Sequence, residues 1–238
     1  MSTTLDPVAP GDSSAAVLTN PAYAALTGPH AEFAEIRGNA RRYPSDVAPF
    51  LGLPTDPTDQ DWADAAELVG SGHTAALMRP DLPIPSEWFK LDRQFDLVQF
   101  AAPPSFGLAD TELVRLGPDD VPDMLALVAL TDPGPFRTRT VALGTYLGLR
   151  RDGELIAMAG ERFHPPGHVE LSAVCTHPDH RGQGLATRLI RAVVAGAEDR
   201  GDQAFLHTGG TNTRAIRLYE SLGFIITNRM KVTIIQAL

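Results

Sequence analysis

The sequence predicts a mixed α/β fold. Its second half reads as a mixed, mostly antiparallel sheet covered by helices, and a smaller α/β unit precedes it. Three observations carry this reading. From Thr111 onward, strand-like and helix-like stretches follow one another in the order β-α-α-β-β-β-α-β-α-β-β. Leu185, Leu189 and Val193 fall on one line and Ile190, Val194 and Ala197 on the next, the 3.6-residue period of a helix packed on a sheet. A glycine-bearing turn at 177–187 joins a strand-like run, Val169 to Thr176, to the start of that helix.

Taken in order, residues 1–18 are small, polar and proline-containing, and read as a mobile tail. Residues 19–110 read as an N-terminal domain. Asn20-Pro21 starts a helix with an asparagine cap and a proline at its first position. Prolines forbid a long helix over 41–50. Residues 61–69 form a short amphipathic helix with Trp62, Ala65, Ala66 and Val69 on its apolar side, and 74–78 and 97–101 form strands. Pro80, Pro83 and Pro85 mark irregular chain between those strands. The best linker is 102–107 (Ala-Pro-Pro-Ser-Phe-Gly), and residues 111–238 read as a second domain.

In that second domain 113–116 is a strand, and 117–120 a turn opening a helix at 121–130. Residues 131–136 break it, and a short helix follows near 139–143. A hairpin turn at 151–154 joins strands 146–150 and 155–163, and 168–176 is the central strand. The helix at 185–200 leads to a strand at 203–208. Asn212 or a neighbour caps a helix that runs to Leu222, Gly223 stops it, and strands 224–227 and 230–235 close the chain.

The chain of 238 residues suffices for one large domain or two small ones, and 43% hydrophobic residues supply a core. A net charge of -9 argues against a nucleic-acid partner, which needs clustered Lys and Arg, and suits a small amine acceptor. The single cysteine, Cys175, cannot form an intrachain disulfide, so a reducing, cytoplasmic setting is expected. No signal peptide is expected, and no apolar stretch is long enough to span a bilayer, so no membrane partner is expected. The oligomeric state stays open.

The turn carries the chemistry. Gly182 and Gly184 allow positive φ, and a glycine-rich turn opening a helix directs unpaired amides and the positive end of the helix dipole at one spot. That is an anion site, most often for phosphate. Neither Gly-x-Gly-x-x-Gly nor Gly-Lys-Ser/Thr is present. Arg181-x-x-Gly184-x-Ala186 instead resembles the pyrophosphate-binding motif of the GNAT superfamily of N-acetyltransferases. Asn212-x-x-Ala215-x-x-Leu218-Tyr219-Glu220-x-x-Gly223-Phe224 is similar to the later helix-to-strand motif of that family. Within the family the run Glu170 to Pro178 most resembles the glycine-N-acyltransferase-like branch. The first half resembles that branch's extra N-terminal region, which in some members is a degenerate second copy of the fold.

The resemblance implies an acetyl-CoA-dependent N-acetyltransferase that acts by direct attack of an amine on the thioester. The acceptor is a small molecule or an amino acid-like amine. Arg181, Gly182, Gln183, Gly184, Leu185, Ala186 and Thr187 would hold the pyrophosphate. The backbone of Val174, Cys175 and Thr176 would hold the acetyl carbonyl and pantetheine arm, and Asn212 joins this coenzyme set. Glu170, eleven residues before Arg181, is the base, with its pKa raised by poor solvation on a central strand. Glu161 is its substitute, or binds the acceptor ammonium. Tyr219 protonates the leaving thiolate. Phe136 and Arg139 are acceptor-site candidates in the loop region after the first helix.

Other readings stand beside this one. The chain suits a non-catalytic acyl-CoA sensor equally well unless Glu170 (or a stand-in) and Tyr219 are poised at the thioester. Acyl donors longer than acetyl are allowed. Cys175 reads as a site neighbour rather than a nucleophile. Cys175, His177 and His180 have metal-like spacing, but no second cluster completes a closed site, so no metal is expected. His164 and His168 read as turn polars.

Overall fold

Strands from both halves of the chain build one sheet. The protein is described here by a computed structural model covering residues 17–238. The large sheet has eight strands: β4 (Thr74–Arg79), β5 (Phe89–Ala101), β6 (Val114–Leu116), β7 (Tyr146–Arg151), β8 (Glu154–Glu161), β9 (His168–Thr176), β10 (Gln203–Gly209) and β11 (Ile225–Ala237). Their order is β4-β11-β5-β10-β9-β8-β7-β6. Only β9 and β10 run parallel; every other neighbouring pair is antiparallel. Three short strands, β1 (Glu35–Arg37), β2 (Ala40–Arg42) and β3 (Leu51–Gly52), form a separate sheet.

β5, from the first half, lies between β11 and β10. The expected boundary near residue 110 therefore falls inside one continuous sheet. The first half makes only the three-stranded sheet by itself, and its two longest strands complete the large one. Of the expected tail, residues 1–16 lie outside the described residues. Leu18 does not belong to a mobile tail: it is buried with Phe50, Phe163 and Phe205, and its carbonyl accepts from the Gln99 side chain at 2.8 Å.

Each face of the sheet has its own cover. Helix α1 (Pro21–Leu26) and helix α2 (Asp59–Val69) come from the first half, and α3 (Val121–Thr131), α4 (Leu185–Asp199) and α5 (Thr213–Ser221) from the second. α4 buries Leu185, Leu189, Ile190, Val193, Val194 and Ala197 against Val98, Phe100, Val169, Leu171 and Leu206. On β10 the alternation is direct: Ala204 and Leu206 join that core while Phe205 joins the opposite one, with Tyr43, Phe50 and Leu26. α2 starts on a capping box. The Thr58 hydroxyl accepts from Asp61 N at 3.2 Å, and the Asp61 carboxylate accepts from Thr58 N at 2.8 Å. No helix among the described residues is long and apolar enough to cross a membrane.

Two strands are longer than the sequence predicts. β5 begins at Phe89 rather than near residue 97, because residues 90–96 are exposed and carry no apolar alternation. β11 is one strand with a bulge between Ile226 and Asn228, where the sequence reads two strands. The small sheet has strands of two or three residues, too short to produce a periodic signal.

His30 joins the two halves. Its Nε2 donates to the Leu143 carbonyl at 3.1 Å, so Nδ1 carries no hydrogen and accepts from the Tyr43 hydroxyl at 3.0 Å. Burial, reinforced by His164, lowers its pKa to about 4, against the Leu143 bond. In the unfolded chain the ring binds a proton near pH 6.5. Between those values the unfolded state therefore holds more protons, and stability falls as pH falls. Urea unfolding should show a loss of about 2–3 kcal/mol between roughly pH 6.5 and pH 4, with a flatter slope in His30→Gln.

Candidate active site

The site begins where two parallel strands part. β9 and β10 pair from His168 with Gln203 to Leu171 with Leu206 and no further. Beyond that point β10 stays on β5 up to Gly209, opposite Leu97. β9 instead stays on β8 through a bulge: Ser172 lies opposite Gly160 and Cys175 opposite Met158, three steps against two. Ala173 takes up the extra residue at φ +52°, an uncommon value for a residue with a Cβ. One side of β9 beyond Leu171 is thus left without a strand partner, and cavities open on it.

The first cavity, about 470 Å³, lies under the glycine turn. Gly182 and Gly184 have φ +78° and +73°, and a Cβ on either would meet no protein atom. Backbone conformation demands glycine here, and the space above the turn is open for a ligand. The first intrahelical bond of α4 runs from Arg188 N to Gly184 O, so the amides of Leu185, Ala186 and Thr187 precede any helical acceptor and sit at the dipole's positive end. Val174, Cys175, Thr176, Arg181, Gly182, Gly184, Leu185, Ala186, Thr187, Asn212 and Tyr219 all line this cavity. Gln183 does not; its side chain accepts from Arg151 at 3.3 Å. Asn212 also caps α5, accepting from Ala215 N at 3.1 Å.

A second cavity of about 440 Å³ shares Asp132, Pro133, Val174, Asn212, Ala215 and Tyr219 with the first. Its other walls include Phe50, Met78 and Phe95 from the first half of the chain, and Arg162 and His207. Two cavities therefore meet at one wall. Tyr219 stands at that wall, and burial raises its pKa to about 12, so its hydroxyl keeps its proton at neutral pH. Burial likewise raises the Cys175 thiol to about 11, which removes it as a nucleophile. Asp132 is the one carboxylate among the described residues lining either cavity. It ends α3 in the left-handed conformation, φ +45°.

Glu170 is fully buried and lines neither cavity. Arg162 donates to both its oxygens, Nε at 2.7 Å and Nη2 at 2.6 Å, and His207 Nδ1 donates at 2.6 Å. Burial alone would raise its pKa, as the sequence suggests. The Arg162 charge and the His207 and Arg162 hydrogen bonds outweigh burial and hold it at about 2. That corrects the expected direction, and so firmly held a carboxylate is a poor base. Gln99 Nε2 lies 2.9 Å from His207 Nε2, on the far side of the ring from Glu170.

Three expected acceptor residues lie elsewhere. Phe136 is buried edge-on against Tyr146 at 5.5 Å, in the core under α3. Arg139 is exposed and pairs with Asp46 at 3.3 Å. Glu161 is buried, accepting from Arg200 at 2.6 Å and Thr145 N at 2.9 Å, so both its oxygens are occupied by structure. The residues that do reach the cavities, Arg162 and His207, left a signal in the sequence. His207 follows the apolar Ala204-Phe205-Leu206, and Arg162 is a charged residue next to Phe163 at the end of a largely apolar strand-like run; a polar group inside must be partnered.

Removing one partner of the buried pair strands the other. Glu170→Ala should cost about 3–5 kcal/mol in urea unfolding, and Arg162→Met with Glu170→Leu should recover most of it.

Comparison with known proteins gives this geometry a family. The family model described as FR47-like protein matches residues 146–232. Over 100 residues the chain is 33% identical to the L-amino acid N-acyltransferase MnaT of Escherichia coli, a match covering 40% of this chain and 58% of that protein. Over 82 residues it is 34% identical to the N-alpha-acetyltransferase RimI of Mycobacterium tuberculosis, covering 33% and 51%. The chain thus spans less than two thirds of either relative. A solved structure of a GCN5-related N-acetyltransferase from Kribbella flavida, 16% identical, shares the fold with a TM-score of 0.59, covering 90% of this chain and 95% of that one. A solved structure assigned to an acetyltransferase of the GNAT family from Novosphingobium aromaticivorans is 39% identical with a TM-score of 0.84, covering 93% of this chain and 98% of that one. With both halves matched at that identity, and a glycine turn set beside a parted pair of strands, this chain belongs to the GNAT family of acetyltransferases.

Proposed function

We propose that this chain transfers an acetyl group from acetyl-coenzyme A to the amine of a small molecule or amino acid-like acceptor. The observation that carries this is the shared wall: the cavity under the glycine turn and the cavity beside Arg162 meet at Asp132, Val174 and Tyr219. A diphosphate under the turn would meet the first-turn amides and the helix dipole. The thioester would then lie where β9 has lost its partner, and the acceptor would reach it from the second cavity.

In this reading the amine nitrogen attacks the thioester carbonyl carbon. The C–N bond forms and the C–S bond breaks. The departing sulfur takes the Tyr219 proton, and the proton leaving nitrogen goes to Asp132. Asp132 takes the base role instead of Glu170, whose oxygens already accept three hydrogen bonds. Glu170 holds Arg162 and His207 in the second cavity's wall. The names of two relatives, an L-amino acid N-acyltransferase and an N-alpha-acetyltransferase, support an amino acceptor. We place the chain in the glycine-N-acyltransferase-like branch on the run Glu170 to Pro178, and in the cytoplasm on its single unpaired cysteine.

Thiol release from acetyl-CoA with a panel of amines tests the reading. Tyr219→Phe should lower kcat on the order of 10²-fold while the Kd for CoA is unchanged. Asp132→Asn keeps a residue that tolerates the left-handed conformation. It should lower kcat by about 10²-fold and remove the acidic limb of the pH–rate profile. Full activity in Asp132→Asn would withdraw the base assignment. CoA binding without thiol release for any amine would leave the sensor reading.

A further inference from the structure

Arg162 is a buried cation with donors to spare. Its side chain is 9% exposed. Nε and Nη2 each spend one N–H on Glu170, and a guanidinium carries five. Nη1 makes no hydrogen bond among the described residues, and it is not one of their sealed, partnerless atoms. Arg162 lines the second cavity. The rings of Phe50 and Phe163 each lie 4.9 Å from the guanidinium carbon and fix its plane. A planar fork held this way, with one edge satisfied and the other free, matches a carboxylate.

The charges in the cavity wall point the same way. Arg93, 74% exposed on its side chain, is the second cation there. Both arginines belong to the second cavity alone, whereas Asp132 belongs to the wall shared with the first. Within the second cavity, positive charge is therefore set back from the shared wall and negative charge lies on it. His207 is bonded to Glu170 and Gln99. Met78, Phe95, Val232 and Ile234 give the cavity an apolar side, beside the polar Ser172, Thr208 and Asn212.

We propose that the acceptor is an amino acid with a free carboxylate and an apolar side chain, its carboxylate on the free edge of Arg162 with Arg93 at the rim, its amine toward Asp132. This rests on the acyl-transfer reading above and names its substrate class. Bond-making is unchanged: nitrogen acquires the acetyl group and the carboxylate takes no part.

Acceptors sharing one body test it on the wild-type protein: leucine, leucinamide and 3-methylbutylamine, each with acetyl-CoA. Leucine should have a kcat/KM about 30-fold or more above the other two. Equal or better turnover of the two carboxylate-free amines would overturn the proposal and leave the acetyltransferase reading intact. Binding separates the two failures. In the presence of CoA, 4-methylpentanoate, which has no amine, should raise Tm and compete with leucine. If it does so while no amine is acetylated, the carboxylate site stands and the acyl-transfer reading fails. If it neither binds nor competes, the site is overturned. Arg162→Gln combined with Glu170→Gln keeps polar partners and removes both charges. It should lose the leucine-over-leucinamide preference about 10-fold or more with an unchanged Kd for CoA. Retention of the full preference would overturn the assignment of Arg162.

Discussion

The separation of β9 from β10 after Leu171 and Leu206 is the constraint on which the site depends. A parallel pair normally continues its slanted hydrogen bonds to the end of the shorter strand. Here a bulge with Ala173 at positive φ turns β9 toward β8 while β10 keeps to β5. A sheet otherwise closed by hydrogen bonds thereby gains an interior opening, lined by main-chain groups on one side and by α5 on another. The glycine turn follows directly at the end of β9, so the turn and the opening cannot drift apart.

The charges around the opening are arranged by burial as much as by contact. Glu170, Arg162 and His207 form a chain in which the carboxylate is held ionised. Taking such a pair out of water costs more than it returns unless the remaining lone pairs and hydrogens are used. Glu170 uses both oxygens, and Arg162 does not use all its hydrogens. The asymmetry makes the carboxylate structural and leaves the guanidinium available.

The second half of the chain was legible because its signals are local. The period of α4 and the turn at Gly182 and Gly184 show in neighbouring residues, as does the Asn212 cap, and most of the residues read from them line the first cavity. Glu170 was legible as buried but not in its ionisation, because the partners that decide it lie eight and thirty-seven residues away. Phe136, Arg139 and Glu161 lie outside both cavities for a related reason. Their chemistry suited a site, but Tyr146, Asp46 and Arg200 claim them in the fold. The first half was hardest to read. Its role depends on β5 crossing into the second half's sheet, and nothing in the exposed residues 90–96 announces a strand.

The position of β5 also sets a timetable. Residues 89–101 leave the ribosome about a hundred residues before either of the strands that flank them. Until then the segment has no hydrogen-bonding neighbour, and the apolar side chains of Leu97, Val98 and Phe100 remain open to misassociation. Closure of the sheet must wait for β10 and β11. The opening is thus assembled only once both flanking strands have been made, and a nascent chain that stops before β10 would hold the glycine turn but not the second cavity.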